Sequence, residues 1–400
     1  MGLHGDVKKY LLERFPGCVD NAPPPIDCQV LVCDYMWLLF KFTPDEGTAG
    51  EELIDFIWGP ISRFFEAGGE TYVMCFDRPE RVPRAKAEEH ARRYGGGVPV
   101  PLTSTECDYE NLPFPWYAAL ANREVRKRVC VFIADSVLRR FSSSNFSRSA
   151  TLFVHGIGDS VRKATVGCVS DAHEHSIARD IGEGDLAVAY WAAQYADKTV
   201  VARVLDSDQI PILMLCARTA RRTRGLYVWL VSPGRDESSP ENYRFLPVEK
   251  RTVIDVLGMN RALKKEGVSV FEFVFMIICQ KTDFVNKIIK NLGVAPSMRS
   301  LEIHFKGAIR VSASAARCDS DEIKKCFRRT VSHSGRKRAE VSECFDVELR
   351  RAWWNLLYWT FGTAGALPQA LAPSRAFGFD DAGFRPAEKS LDLDYPFYSP

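Results

Sequence analysis

Short runs of consecutive apolar residues alternate along this chain with stretches of helical periodicity, and several of the runs stop at an acid. Residues 30–33 read as a buried strand that delivers Asp34 at its C-terminal end, and residues 37–40 have the apolar density of a helix. Apolar side chains then recur at 53, 54, 56, 57, 61, 64 and 65, the stripe of an amphipathic helix, which Gly68-Gly69 stops. Residues 72–76 form a second strand pattern ending in Asp77, and 150–154 a third. Glu183-Gly-Asp185 opens a helix with Leu186, Ala189, Tyr190 and Ala193 on one face, its acids suited to the positive helix end. The run 200–205 ends in Asp206-Ser-Asp208, and 226–231 continues the strand series. Residues 248–257 and 268–278 read as helices, the second running into Lys281-Thr-Asp283.

Strands alternating with helices predict an α/β fold, a mostly parallel central sheet flanked by helices, in which ligands gather at the C-terminal strand ends. Asp34, Asp77 and Asp206 all fall at such ends. Between them the chain turns basic: Arg84, Lys86, His90, Arg92 and Arg93 cluster on a helix that starts after Pro83. Residues 95–115 read as a loop, 116–140 as a helix carrying Arg123, Arg126, Lys127, Arg128, Arg139 and Arg140, and the serine-rich stretch 142–149 as mobile. Beyond 290 the pattern is more basic and helical, with Lys324, Lys325, Arg328, Arg329 and Arg336-Lys-Arg338 ahead of an aromatic helix from Trp353 to Trp359. A tail rich in Pro and Gly drapes over the core from Gly362. The division expected is therefore residues 1–290, with an arch or lid insertion at 95–170, and a helical C-terminal region at 291–400.

Composition narrows the picture. Four hundred residues at 46% hydrophobic content bury a substantial core, and 53 Lys plus Arg against 51 Asp plus Glu leave any polyanion binding to local patches. No apolar run approaches the roughly 20 residues that span a bilayer, and the start lacks a signal-peptide layout, so a soluble intracellular protein without membrane partners is expected. Asp6 stands where N-myristoylation needs Ser or Thr. The twelve cysteines include no C-x-x-C pair and read as reduced small core residues. His173 and His175 lack a third ligand nearby and read as a solvated loop rather than a zinc site.

The acids carry the chemistry. A single carboxylate at a strand end is ordinarily a cap or an ion-pair partner. Asp34, Asp77, Glu183 with Asp185, Asp206 with Asp208, and Asp283 are a set, all at ends of buried elements that a parallel sheet would gather. Such a set repels itself unless cations neutralise it, and oxygen-only ligands suit Mg²⁺ or Mn²⁺. Two ions about 4 Å apart activate a water on one side of a phosphodiester and stabilise the leaving oxygen on the other. The basic helix after Asp77 supplies phosphate binding.

These residues resemble the flap-endonuclease and 5′-exonuclease (PIN-like) superfamily, with Xrn-type 5′→3′ exoribonuclease-like motifs. The opening Met1-Gly-Leu-His-Gly-Asp-Val-Lys-Lys-Tyr-Leu-Leu-Glu-Arg-Phe-Pro16 is similar to the family's start, where Gly2 sits close to the active site. Val32-Cys-Asp34 resembles the first metal-site strand, and Phe76-Asp77 with Pro83-Arg-Ala-Lys86 and Arg92-Arg93-Tyr94 resembles the Xrn segment D-G-x-x-P-R-A-K followed by R-R-F, with two extra residues before Pro83. Gly182-Glu-Gly-Asp185 resembles G-E-G-E with Asp for the second Glu, Leu205-Asp-Ser-Asp208 the family's D-x-D, and residues 271–283 the helix ending in G-x-D-Y or G-N-D-F. The likeness covers roughly residues 1 to 290. It implies that Asp77, Glu183 and Asp185 hold one metal, with Asp34 acting mainly through water. Asp206, Asp208 and Asp283 hold the other, and Lys86 and Arg93 grip the scissile phosphate. The substrate implied is DNA or RNA with a 5′ end or flap, cut by a 5′→3′ exonuclease or a structure-specific flap endonuclease. Two departures stand out. Lys281-Thr282 replaces the glycine-containing approach to Asp283, and the glycine-rich helix-two-turn-helix that grips duplex DNA is reduced to Asn291-Leu-Gly293.

A rival reading is a catalytically inactive nucleic-acid-binding or scaffold protein on the same fold, motivated by the altered approach to Asp283. A phosphatase-like hydrolase ranks last, because no nucleophile motif is present. The clusters at 218–224 and 324–329 are solvated faces or nucleic-acid contacts, and the aromatics from Trp353 to Trp359 are core packing rather than a base-stacking platform.

Overall fold

The computed structural model describes residues 5–20, 27–77, 102–103, 110–219, 224–231, 251–280, 282, 285–305, 307, 309–311, 316–318, 320–336 and 338–361. Gly2, Lys86, Arg93 and Asp283 lie outside the described residues, as does the chain beyond 361.

In chain order the first half comprises α1 (Gly5–Arg14), β1 (Val19–Asp20), β2 (Val30–Asp34), α2 (Met36–Leu39), α3 (Gly50–Glu66), β3 (Thr71–Cys75), α4 (Trp116–Ala121), α5 (Arg123–Ser142), β4 (Thr151–His155), β5 (Arg162–Thr165) and β6 (Cys168–Asp171). A 3-10 helix, His173–Asp180, leads into α6 (Gly184–Gln194), β7 (Thr199–Val204), α7 (Gln209–Thr219), β8 (Gly225–Val231), β9 (Arg251–Asp255), α8 (Val256–Lys265) and α9 (Val270–Ile278). The last part holds β10 (Ile289–Lys290), α10 (Val294–His304), β11 (Ile309–Val311), β12 (Ala316–Cys318), α11 (Ser320–His333), β13 (Glu340–Val341) and α12 (Phe345–Phe361).

Among the described residues, nine strands form one sheet in the order β1-β9-β8-β7-β2-β3-β4-β5-β6. The five central strands, β8 to β4 in that order, run parallel, and the outer pairs at both ends are antiparallel. A parallel sheet covered on both faces needs strands apolar on both sides. The run 30–33 meets that need: Val30 and Val32 join one hydrophobic cluster, Leu31 and Cys33 the other. On the second face lie α3, which inserts Leu53, Ile54, Ile57, Ile61 and Phe65, and α5, which inserts Val129, Ile133 and Val137. The first face is covered by α1, α6, α7, α8, α9 and the C-terminal helices, and side chains from Val7 to Trp359 share that cluster. Every residue of α9 is buried, Glu272 included, as expected of a helix otherwise apolar all round. Trp353 and Trp359 are core residues, as their pattern implied.

Four expectations are corrected. The stretch 248–257 is not one helix: its described residues 251–255 form β9, and α8 begins only at Val256, where the Asp255 carboxylate accepts the Gly258 amide at 2.8 Å. Thr252, Val253 and Ile254 are β-branched and fit a pleated strand better than a helix. The helix read over 116–140 is interrupted, because Asn122 is extended and its side chain accepts the amides of Glu124 and Val125, starting α5 afresh. The serine-rich stretch expected to be mobile is a hydrogen-bonded turn, with Ala150 N donating to Ser147 O at 2.9 Å and Phe146 packed against Trp58 and Phe65. Of the pair read as a solvated loop, His173 is exposed, whereas His175 is half-buried with its ring 4.4 Å from that of Trp191, and both sit in the 3-10 helix. Within the span 95–170 read as an arch, α4, α5, β4 and β5 build core layers.

Among the described cysteines, Cys33, Cys75, Cys130, Cys216, Cys279 and Cys326 are buried, whereas Cys168 and Cys344 are exposed. No helix among the described residues is long and apolar enough to cross a membrane.

Candidate functional site

Parallel strands release their C-terminal ends on one edge, and the acids emerge there. Asp34 is the last residue of β2 and is the register partner of Cys75 on β3, two residues before Asp77. Asp206 follows β7 by two residues, and β7 pairs with β2. Glu183, only 2% exposed, caps α6, whose first turn carries Asp185. Asp208 immediately precedes α7.

The contact that joins these points is the N-terminus of α6. The Gly184 amide donates to Asp77 Oδ1 at 2.7 Å. A Cβ on Gly184 would stand 3.2 Å from Asp77 Oδ1 and 3.4 Å from Asp34 Oδ1, so two carboxylates from different strands face one helix end. Helix N-termini attract such charge through their unpaired amides and the helix dipole. From α7 the Gln209 side chain donates to the Asp185 carbonyl at 3.1 Å, which ties the starts of α6 and α7 together. Behind them, buried His155 at the end of β4 accepts from Trp191 Nε1 at 3.0 Å, and its carbonyl accepts the Phe76 amide at 3.0 Å. The end of β4 thereby braces both α6 and the Phe76-Asp77 segment.

Electrostatics give the same grouping. Desolvation, then the charges of Asp185 and Asp77, hold the Asp34 carboxyl well above the usual carboxylate range; Asp206 adds to this, and the Met36 amide, donating to Oδ1 at 3.0 Å, opposes it. Burial, then the charge on Asp34, likewise pushes the Cys75 thiol up, so it stays neutral. Asp34 thus feels the charges of Asp77, Asp185 and Asp206 at a desolvated edge. Among the described residues no group of three or more His, Cys, Asp or Glu side chains is arranged to hold a metal ion. The donors fit a divalent cation by type and charge, being oxygen-only and mutually repelling, while their spacing is not that of a formed coordination shell.

Gly184, as an amide donor and as a residue without a side chain, Gln209 and His155 were not assigned roles from sequence. A buried polar residue opening α7 was the one hint, and nothing in the sequence set the His155 ring against Trp191. In the C-terminal region Lys324 pairs with Asp346, and Lys325 and Arg329 with Glu322, so part of that charge is balanced within the chain. Residues 220–223 of the other basic cluster lie outside the described residues.

Gly184→Ala separates fold from site. Alanine favours a helix over glycine by up to about 1 kcal/mol, so folding stability should hold or rise. The added methyl crowds the Asp77 carboxylate at 3.2 Å, and divalent-cation affinity measured by calorimetry should fall. Unchanged affinity would show that this carboxylate does not contribute to cation binding.

No known family model matches this chain, and no curated protein sequence matches it.

Proposed function

We propose that this chain is a Mg²⁺-dependent 5′ nuclease on a PIN-like flap-endonuclease fold, hydrolysing phosphodiester bonds of DNA or RNA. The observation that carries the reading is the convergence of Asp34, Asp77, Asp185 and Asp206, from four separate points of the chain, on the α6 end of one parallel sheet. So much negative charge is poorly suited to binding a polyanion until cations neutralise it. Asp77, Glu183 and Asp185 would hold one Mg²⁺ or Mn²⁺, with Asp34 acting mainly through water, and Asp206, Asp208 and Asp283 a second. Bound there, such ions supply an activated water and neutralise charge on the leaving oxygen. The chain's own part is orientation. The Gly184 amide fixes one oxygen of Asp77, and Gln209 fixes the turn that carries Asp185. In this proposal Lys86 and Arg93 bind the scissile phosphate, and Gly2 lies near it.

The test is cleavage of 5′-labelled DNA flaps and of 5′-monophosphate RNA with Mg²⁺, and again in chelator, using native protein and Asp206→Asn. Cleavage of either substrate that needs Mg²⁺ and Asp206 is the expected result. Absence of cleavage of both sinks the proposal.

A second reading, a non-catalytic nucleic-acid-binding protein on the same fold, is favoured by one observation: the described acids do not form a coordination shell. It predicts nucleic-acid binding that is indifferent to Asp206→Asn and to chelator.

A further inference from the structure

The direction in which the chain winds across the sheet reverses between β2 and β7. The chain leaves β2 for β3 through α3, which packs on the second face, and leaves β7 for β8 through α7, which packs on the first. In open parallel sheets ligands bind in the crevice outside the strand ends at such a switch point. Asp34 ends β2 there, and Asp206 follows β7. Arg203 stands at the same place on the opposite face. It is the register partner of Cys33 on β2 and of Trp229 on β8, and alternation along β7 puts it with Val201 on the second face, while Ala202 and Val204 join the first.

The Arg203 guanidinium carbon lies 5.7 Å from the Trp37 ring centre and 5.1 Å from that of Trp229. Such contacts engage the flat face of the cation, whereas its five N–H donors lie in its plane. Among the described residues Arg203 has no hydrogen bond and no ion pair, and its Nε is shut off from water without a partner, as is Trp37 Nε1. A donor left unmet in this way is costly, and a methionine of similar length would fill the space between the indoles without that cost. The charge beside it has the same sign. Desolvation, then the charge of Arg203, lowers the pKa of Arg63 on α3, with Glu66 opposing. Arg203 and Trp229 are half-buried, while Ala202 and Val228 on the first face are 0% exposed, so described residues cover this part of the second face incompletely.

We propose that Trp37, Arg203 and Trp229 form a nucleotide subsite for single-stranded nucleic acid, in which Arg203 takes a backbone phosphate in the plane of its guanidinium and Trp37 stacks on a base. The charge calls for an anion, since two neighbouring arginines repel a cation and the planar fork of donors matches phosphate oxygens. The indoles favour an anion that carries an aromatic ring over inorganic phosphate, and a base is free to stack on a side chain when it is not held in a duplex. That the ligand is nucleic acid rests on the nuclease reading above; that it is an anion rests on Arg203 itself. The subsite supplies what the acid edge lacks, a cation of the chain's own, paired in register with the residue that precedes Asp34.

The experiment uses the full chain carrying Asp206→Asn, so that a strand is bound in Mg²⁺ without being cut, and measures fluorescence anisotropy of a labelled single-stranded oligonucleotide over a range of salt. Adding Arg203→Met should weaken binding by roughly tenfold or more, the scale of a lost hydrogen bond to a charged group. The slope of log affinity against log salt should become shallower by about 0.7, the share of one phosphate contact on a single strand. The melting temperature of that variant should hold or rise, which a purely structural arginine would not allow. Adding Trp37→Leu should weaken binding by roughly tenfold with the salt slope unchanged. It should also erase the preference of the parent for this strand over an abasic strand with the same phosphates. Equal affinity for Arg203→Met, or weaker affinity with an unchanged salt slope, overturns the subsite. If Arg203→Met does not fold, the abasic comparison decides alone, and a preference that survives Trp37→Leu overturns it. A parent that binds no strand also overturns the subsite, while Mg²⁺-dependent cleavage by the native protein decides the nuclease reading separately.

Discussion

Asp34→Asn is expected to raise the melting temperature of the cation-free protein and to abolish divalent-cation-dependent cleavage. The first effect follows from the position of its carboxyl, desolvated and facing Asp185, Asp77 and Asp206. Its pKa in the folded protein is raised well above 3.8, so folding favours the protonated form. The stability this brings is fully present below the unfolded-chain value and is lost as pH rises through the raised folded value. Native protein in chelator should therefore lose stability over that window. The asparagine variant, which can still accept the Met36 amide, should not, and the gap should widen with pH to about 1–3 kcal/mol, the usual scale for a buried electrostatic conflict. Mg²⁺ should close the gap by stabilising only the native protein. Cleavage should drop at least about 10²-fold, the scale seen when one group stabilising transition-state charge is removed. Melting curves across pH, in chelator and in Mg²⁺, check the first part. A lower melting temperature for Asp34→Asn in chelator at neutral pH would show that the carboxyl is not in conflict with its neighbours.

Gly156→Ala should be the most destabilising single methyl in the described part of the sheet. Gly156 follows β4 with φ of +92°, and a Cβ there would stand 2.0 Å from the backbone oxygen of Phe76. The left-handed conformation costs an alanine about 1–2 kcal/mol, and the overlap with backbone has no flexible side chain to relieve it. Relief requires the Phe76-Asp77 segment to move, which also breaks the bond from the Gly184 amide to Asp77. We expect a total loss of about 4 kcal/mol or more, in the range reserved for named severe mechanisms, measured by denaturant unfolding. Gly158→Ala is the matched control: its φ is +71° with nothing within 4 Å of the added carbon, so it should cost only the conformational part, about 1–2 kcal/mol. Equal losses at the two positions would show that the close approach to Phe76 does not matter.

The same two regions show what could be read along the chain. That residues 30–33 and 72–76 are buried strands delivering acids was legible, because a strand covered on both faces must be apolar at consecutive positions and few other elements are. The amphipathic stripe of α3 was legible for the matching reason. Residues 248–257 were not, since a short apolar run satisfies both periods, and only the pairing of β9 with β8 and the cap at Asp255 decide between them. At the site, the acids were legible one by one as residues that end buried elements. Their grouping followed only on the assumption of a parallel sheet, which the register of β2 with β3 and β7 bears out.

What the sequence by itself determined is therefore local and compositional: which runs are buried and which acids stand at their ends. Local periodicity and capping act over a few residues, and a single chain displays them directly. What only the tertiary structure decided is every relation between distant residues. The Gly184 amide meets Asp77 across 107 positions, Trp191 meets His155 across 36, and Glu348 meets Asn286 across 62. Such contacts follow from strand order and helix packing, which are set by the summed burial of the whole chain, and no short stretch of sequence carries them.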